Sequence, residues 1–556
     1  MTSRSARYDS GTRALSTAGP RPAARAFDEL TRDFFAVWLR YHPDAALAAG
    51  ISDSADRLPP CSDDDQAALA TWLQNLIVAL QEFDAAELDL PRRIDLELMF
   101  ALARVEHREL LERDWRHRDP LRHLPIAGIH RLTLLRPDGL RHALAARLAA
   151  MPDQLRLAQT QLAPTAELVP RMLAEAALAA IQDGRRYLRE LVRSRWLRNH
   201  CHSQGELETL AEAAASALGY FGDNLAREIL PRAAGPLGCG PARLEFFLRQ
   251  RHFVLVKPAD CQALLHRLSA EAEARLAGVR RDLGDSAFEP LPARAGTARD
   301  VVRAECAALA ERLEAEGIVT LPPAPLVVRG GPVCPRMAPA HVDYVPDLRR
   351  GEGILYVPDR NKGGETAAGG QSALRLACLH QGWGGAHLLD FAGGMAARSV
   401  PRRLASAATL TGGWALALDR RLFDTDAADA DDRRLVLEHR VTAIEVARVD
   451  LDLHRGQLDG DAALDRLMGL GLDRPTALAT LAGIAERPGN ALAAVLGWRM
   501  LERVRPADSA ARAFNDRLVG LGPIPLPLAL RYAFGDDMAR AAIAALCAPG
   551  SDEISR

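Results

Sequence analysis

"CLHQGWGGAHLLDFAGG", residues Cys378 to Gly394, is the stretch on which the reading of this chain turns. It holds two histidines, His380 and His387, a glutamine beside the first, and the pair Gly384-Gly385 between them. Seven positions on an ideal helix make two turns, roughly 10 Å. Two imidazoles sharing a zinc ion need their nitrogens about 2.0–2.1 Å from it. An intact helix therefore keeps the histidines apart, and joint ligation requires a kink at the glycines, which carry no Cβ penalty in unusual backbone conformations. The metalloprotease pattern His-Glu-x-x-His is absent. Gln381 stands at the position of its general-base glutamate and Gly384 at that of its second histidine.

The surroundings of this stretch are helical by pattern. "FDELTRDFFAVWLRYHPDAALAAG" places Phe27, Leu30, Phe34, Phe35 and Leu39 at helical spacing, and Gly50 stops it. "DDDQAALATWLQNLIVALQEFD" opens on aspartates that suit a helix N-terminus. Similar patterns cover roughly 90–114, 166–198, 204–231, 258–283 and 297–316. Near residue 318 the texture changes to Pro and β-branched residues, and Val327 to Arg329 and Ile354 to Val357 read as short extended segments. "NKGGETAAGGQ" reads as a loop, and helices resume at Ser372 and run to about Leu546. The expected fold is mainly α, with one small extended or β element just before the motif helix. The expected organisation is a disordered tail over 1–24, a helical half over 25–317 and a second half over 318–548 that carries the motif.

Bulk composition excludes more than it assigns. Of 556 residues, 70 are basic and 72 acidic, so neither nucleic acid nor an anionic membrane surface is an expected partner. Eight cysteines show no CxxC pair, which argues against a zinc ribbon or a disulfide scaffold and for small buried side chains. The N-terminal segment has no continuous apolar core of a secretory signal, and no apolar run reaches membrane-span length. A cytoplasmic location is the expectation.

Several landmarks in order give the chain a family likeness from about residue 26 to 547. The opening helix carries P-x-x-A-x-x-x-G at Pro43, Ala46 and Gly50, followed by "DRLP". "RMAPAHVDYVP", "GILYVPD", "RPGNALAAVLGWRMLERVR" and "FNDRLVGLGPIPLPLALRY" follow. In these pieces the sequence resembles the bacterial proteins catalogued as domain of unknown function 885, which look like helical relatives of the gluzincin zinc peptidases. The family motif "HEAYPGHHLQ" falls on "HQGWGGAHLL" without a gap: His380 and His387 are kept, while Gln381 replaces the glutamate and Ala386 a histidine. The family's "E-G-W-x-x-Y" falls on "GGWALA", so Gly412 takes the place of the glutamate that the resemblance makes a third metal ligand, and Ala417 that of the tyrosine. Ala494 and Val495 replace a Tyr-Lys pair, and Asp450 and His454 keep the family's "VD-x-G-L-H" positions.

The resemblance thus implies a degenerate member. An amide at Gln381 cannot take a proton near neutral pH, and two first-shell ligands fall short of the three a catalytic zinc normally has. No metal is expected at His380, Ala386, His387 and Gly412, and no cofactor, zinc being the family's. The first expectation is a pseudo-peptidase whose cleft binds a peptide, a small molecule or a partner protein. The alternative is a metal-independent hydrolase or transferase in the same cleft, and an active zinc metallopeptidase fits least. The candidate cleft residues are His380, Gln381, His387, Tyr344, Asp450 and His454, with His341 and Asp343 beside Tyr344. The plainer reading of the two motif histidines is a pair hydrogen-bonded in a helical cleft. "RNHCHSQGE" reads as a loop, since the side chains of His200, Cys201 and His202 point apart. "HRELLERDWRHRDPLRH", residues 107–123, reads as a solvated basic face that could alternatively meet an anionic partner.

Overall fold

Local signals start many of the helices. Ser62 accepts from the Asp65 N–H while the Asp65 carboxylate accepts from the Ser62 N–H, a capping box that opens helix Asp63–Gln81. Asp89, Asp459 and Asp473 cap Leu90–Glu112, Gly460–Gly469 and Arg474–Glu486 in the same sense, each side chain accepting a backbone N–H of the first turn. The computed structural model of the chain describes residues 22–201, 204–283, 298–332, 334–335, 342–357, 370–394, 399–423, 430–507 and 510–547. The expected tail lies outside these except for its last three residues, which open helix Pro22–Tyr41. His202, His341 and most of the 361–371 loop also lie outside them.

The mainly helical expectation holds. Among the described residues three α-helices escape the sequence reading, Ile126–Leu135, Leu140–Leu162 and Pro241–Gln250. The second contains Pro152, a residue that ordinarily costs an interior helix a hydrogen bond. Its Leu144, Leu148, Met151, Leu155, Ala158 and Leu162 recur three or four apart and are all buried, so the packed face outweighs the break.

The extended element is a three-stranded sheet in the order β1-β3-β2, with β1 at Leu326–Gly330, β2 at Asp343–Asp347 and β3 at Glu352–Val357. β1 runs parallel to β3 and β2 antiparallel to it, with Tyr344 opposite Leu355. β2 was hidden in the sequence by Pro346, which a strand tolerates because β2 is an edge. One apolar core joins Ile94 and Leu98 of the first part to Leu379, Leu388, Trp414 and residues out to Leu546. A second, from Leu47 to Ile229, fills the first helical layers. The motif is thus wedged between the sheet and the large core.

Candidate functional site

The glycines do break the motif helix. Helix Gly370–Gln381 ends at Gln381, and a new helix, Ala386–Phe391, starts after a turn in which the Gly385 N–H donates to the Gly382 carbonyl. A Cβ on Gly385 would lie 1.9 Å from the His380 carbonyl oxygen, so only glycine fits there. Trp414 pins the turn by donating its indole N–H to the Gly384 carbonyl at 3.0 Å.

The break does not bring the two histidines to one ion. His380 donates from Nε2 to the Asp419 carboxylate at 2.9 Å, and His439 bonds the other oxygen of the same carboxylate from Nδ1 at 3.0 Å. Asp419 sits on helix Ala408–Phe423 and is wholly buried, and His439 sits on helix Ala430–His454. Burial works to raise the Asp419 pKa, but the His380 charge and the two hydrogen bonds outweigh it and hold the carboxyl below its usual range. Burial likewise works against His380, and the Asp419 carboxylate outweighs it, raising the imidazole above its ordinary value. The donor atoms of His380, Asp419 and His439 all lie within 4.8 Å of one another, a spacing that can hold a metal ion.

His387 belongs to a different environment. Its Nε2 donates to the Ala324 carbonyl at 3.0 Å, and its ring is fully buried against Trp383, Phe391 and Tyr344. Burial lowers its pKa to about 4. Its Nδ1 faces β3 so closely that a Cβ on Gly353 would lie 2.2 Å from it. Ala386 offers no donor. Gly412 has no side chain, and a Cβ there would lie 2.4 Å from the Cβ of Ala494. The four motif-derived positions therefore supply two imidazoles, one on a carboxylate and one on a backbone carbonyl. Gln381 ends its helix half-buried.

Asp450 and His454 are placed in the core. The Asp450 carboxylate accepts the N–H groups of Gly489, Ala491 and Leu492 at 2.8, 2.9 and 3.1 Å, which caps helix Asn490–Val504. Burial nonetheless pushes its carboxyl up to about 7. His454 donates from Nε2 to the Ile484 carbonyl and accepts the Cys239 N–H at Nδ1. Burial lowers it to about 4. Neither residue lines either of the two cavities described next.

Tyr344 does line a cavity, one of about 450 Å³ that also meets Asp343, His130 and Asp183. His130 bonds Asp343 at 3.3 Å, and with Cys334 they form a second group whose donor atoms lie within 4.8 Å. A larger cavity, about 790 Å³, opens between helix Leu90–Glu112, the 113–125 segment and helix Arg474–Glu486. The sequence reading missed Asp419, His439 and His130 as partners. Only Asp419 left a trace, as the lone acid closing the apolar run "WALALD".

The model of one protein family, described as bacterial protein of unknown function (DUF885), matches residues 43–531. No functionally curated protein matches. Among solved structures, a "putative lipoprotein of unknown function" from Shewanella oneidensis is similar at 16% identity and TM-score 0.68, over 90% of this chain and 98% of that one. A "putative lipoprotein" from Colwellia psychrerythraea is similar at 15% identity and TM-score 0.74, over 92% and 99% of the two chains. At such identities the likeness is one of fold. It also overturns the cytoplasmic expectation, since both solved neighbours are described as lipoproteins. No described helix is long and apolar enough to cross a membrane, but a covalent lipid anchor needs no such helix, so the missing apolar run never argued for the cytoplasm.

Proposed function

The chain belongs to the bacterial DUF885 family of proteins of unknown function, and on that premise we propose that it is a zinc-peptidase-like scaffold without peptidase chemistry, acting by binding a peptide, a small molecule or a partner protein. One observation carries the reading: of the four positions His380, Ala386, His387 and Gly412, only two have donor groups, and these serve different partners. Zinc does not fit this set. His387 Nδ1 is pressed against β3, and the Gly412 position is closed by Ala494. Gln381 adds no group able to accept a proton from water. The two cavities leave room for a ligand without any of these residues. The test is metal content of the purified protein together with hydrolysis of a peptide library. Little bound zinc and no cleavage are expected. Stoichiometric zinc with cleavage that is lost in His380→Ala overturns the reading.

A second reading rests on the His380–Asp419–His439 group. Two imidazoles and a carboxylate make the three-ligand count of a catalytic zinc site, so a rebuilt metal site is the enzyme alternative. A metal-independent hydrolase would have to work from His380, since His387 and Asp450 are enclosed. Metal that is bound in the parent and lost in His439→Ala favours the rebuilt site; no metal in either leaves the binding protein.

A further inference from the structure

The basic stretch around residues 107–123 forms a solvated face only in part. Arg116 and His123 are buried in it. Arg116 is fully paired, with Asp114 and Asp63. Arg113 and Arg118 differ. Both donate from Nη2 to one and the same backbone oxygen, that of Pro236, at 3.4 Å, and Arg113 also reaches the Leu237 carbonyl at 2.9 Å. Neither has a hydrogen-bonded carboxylate among the described residues, and the Arg118 Nε is buried without a partner.

A third guanidinium, Arg243, joins them on the wall of the 790 Å³ cavity. Its one carboxylate partner among the described residues is Glu112, at 2.7 Å, and Glu112 is shared with Arg108. Arg113 and Arg118 thus share one carbonyl with Arg243 on the same cavity wall, and Glu112 is the one hydrogen-bonded carboxylate of the three among the described residues, Asp119 acting on Arg113 and Arg118 only through its charge. Burial first, and then the neighbouring Arg113 and Arg243 charges, lower Arg118 to about 10, with Asp119 acting in the opposite sense. Folding alone gives little reason to assemble them, because like charges partly withdrawn from water are unfavourable unless something neutralises them.

We propose that Arg113, Arg118 and Arg243 form a receptor for an oxyanion, the carboxylate or phosphate of a small ligand that enters this cavity. Guanidinium forks suit such groups because they offer paired N–H donors in a fixed plane. The lining also includes Asp119 and Glu486, which disfavour a ligand that is anionic throughout. A ligand with one oxyanion at one end and a cationic or neutral remainder, such as a short peptide with a free C-terminus, fits a lining that carries both signs of charge. The inference deepens the reading of the chain as a binding protein and rests on it.

Calorimetric titration of the full chain with alanyl-alanine, with its C-terminal amide and with inorganic phosphate tests it. Binding of the free dipeptide, absent for the amide, identifies a carboxylate; binding of phosphate alone identifies a phosphoryl source. Either is expected to weaken about tenfold or more in Arg118→Gln or Arg113→Gln. Without ligand, Arg118→Gln is expected to melt no lower than the parent, because one of three repelling charges is gone. Failure of both dipeptide and phosphate to bind, unchanged binding in both variants, or a lower melting temperature of ligand-free Arg118→Gln overturns the receptor. The binding-protein reading stands or falls separately, on metal content and peptide cleavage.

Discussion

His380, on the helix that carries the motif, forms an ion pair with the buried Asp419 of helix Ala408–Phe423, 2.9 Å from Nε2 to Oδ1. Its pH dependence has a definite sign. His380 is raised, so its contribution is complete below its unfolded pKa of about 6.5 and is lost as pH rises through the higher folded value. Asp419 is lowered, so its contribution is complete above about 3.9 and is lost as pH falls through the folded value. The pair supports the fold most between about pH 4 and 6.5. Urea midpoints at pH 5.5 and 8.5 should fall more in the parent than in Asp419→Asn, which itself should cost about 3–5 kcal/mol at the lower pH by leaving a buried charge unpaired. Equal losses in parent and variant would refute this account. Histidine NMR should show His380 titrating above 6.5 and His387 near 4.

Gly412 and Ala494 meet where helix Ala408–Phe423 crosses helix Asn490–Val504. The approach continues at Gly413 and Gly497. A Cβ on Gly413 would lie 2.5 Å from the Gly497 carbonyl carbon, and one on Gly497 1.8 Å from the Thr409 oxygen. Gly412→Ala should therefore destabilise by about 1–3 kcal/mol through overpacking, read as a lower urea midpoint. Restoring Gln381→Glu, Ala386→His and Gly412→Glu together should unfold the protein more readily and not recover zinc. Zinc recovered in a stable triple variant would show that the two helices can separate.

The legible parts of the site were those written in local backbone chemistry. Gly384-Gly385 announced the break between Gln381 and Ala386, and the break is there. The Pro- and β-branched-rich stretch announced β1 and β3, whereas Pro346 concealed β2. Partnerships across the fold were not legible. Asp419 and His439 lie 39 and 59 positions beyond His380, on separate helices, and no spacing rule joins them. Nor does "RDWRHRD" tell which arginines turn inward, because Arg113, Arg116 and Arg118 lie where a helix has ended and side-chain direction no longer follows the helical period.

The cysteines offer a direct check on packing. Cys61, Cys201, Cys261, Cys306 and Cys378 are buried, Cys239 and Cys334 half-buried, and Cys547 exposed. In the folded protein a thiol reagent such as DTNB should modify Cys547 first, since burial hides the others and disfavours the thiolates of Cys61, Cys201 and Cys261. Its rate should be modest, because desolvation and the nearby Asp260 raise the Cys547 pKa as well. Several equivalents reacting at once in native buffer would contradict this packing. Cys547→Ser should abolish the fast phase and leave the slow one unchanged.

Asp450 carries the most concentrated structural role among the residues that the family pattern keeps. Three backbone N–H groups at the start of helix Asn490–Val504 converge on this one side chain. Asp450→Ala would leave them buried and unpaired at about 1–3 kcal/mol each for those that water cannot reach, so a loss of at least about 3 kcal/mol is expected in chemical denaturation. Asp450→Asn keeps one acceptor oxygen and should cost less. The order also discriminates roles: a cleft residue would lose ligand binding in both variants with little change in stability, whereas a cap loses stability in both and binding in neither while the protein stays folded. Since burial pushes the carboxyl to about 7 against an unfolded value of about 3.9, the folded form takes up a proton between these values. The advantage of the parent over the Asp450→Asn variant should accordingly shrink as pH rises from 4 to 7, and an advantage that grew would show that the three N–H groups, and not burial, set its titration.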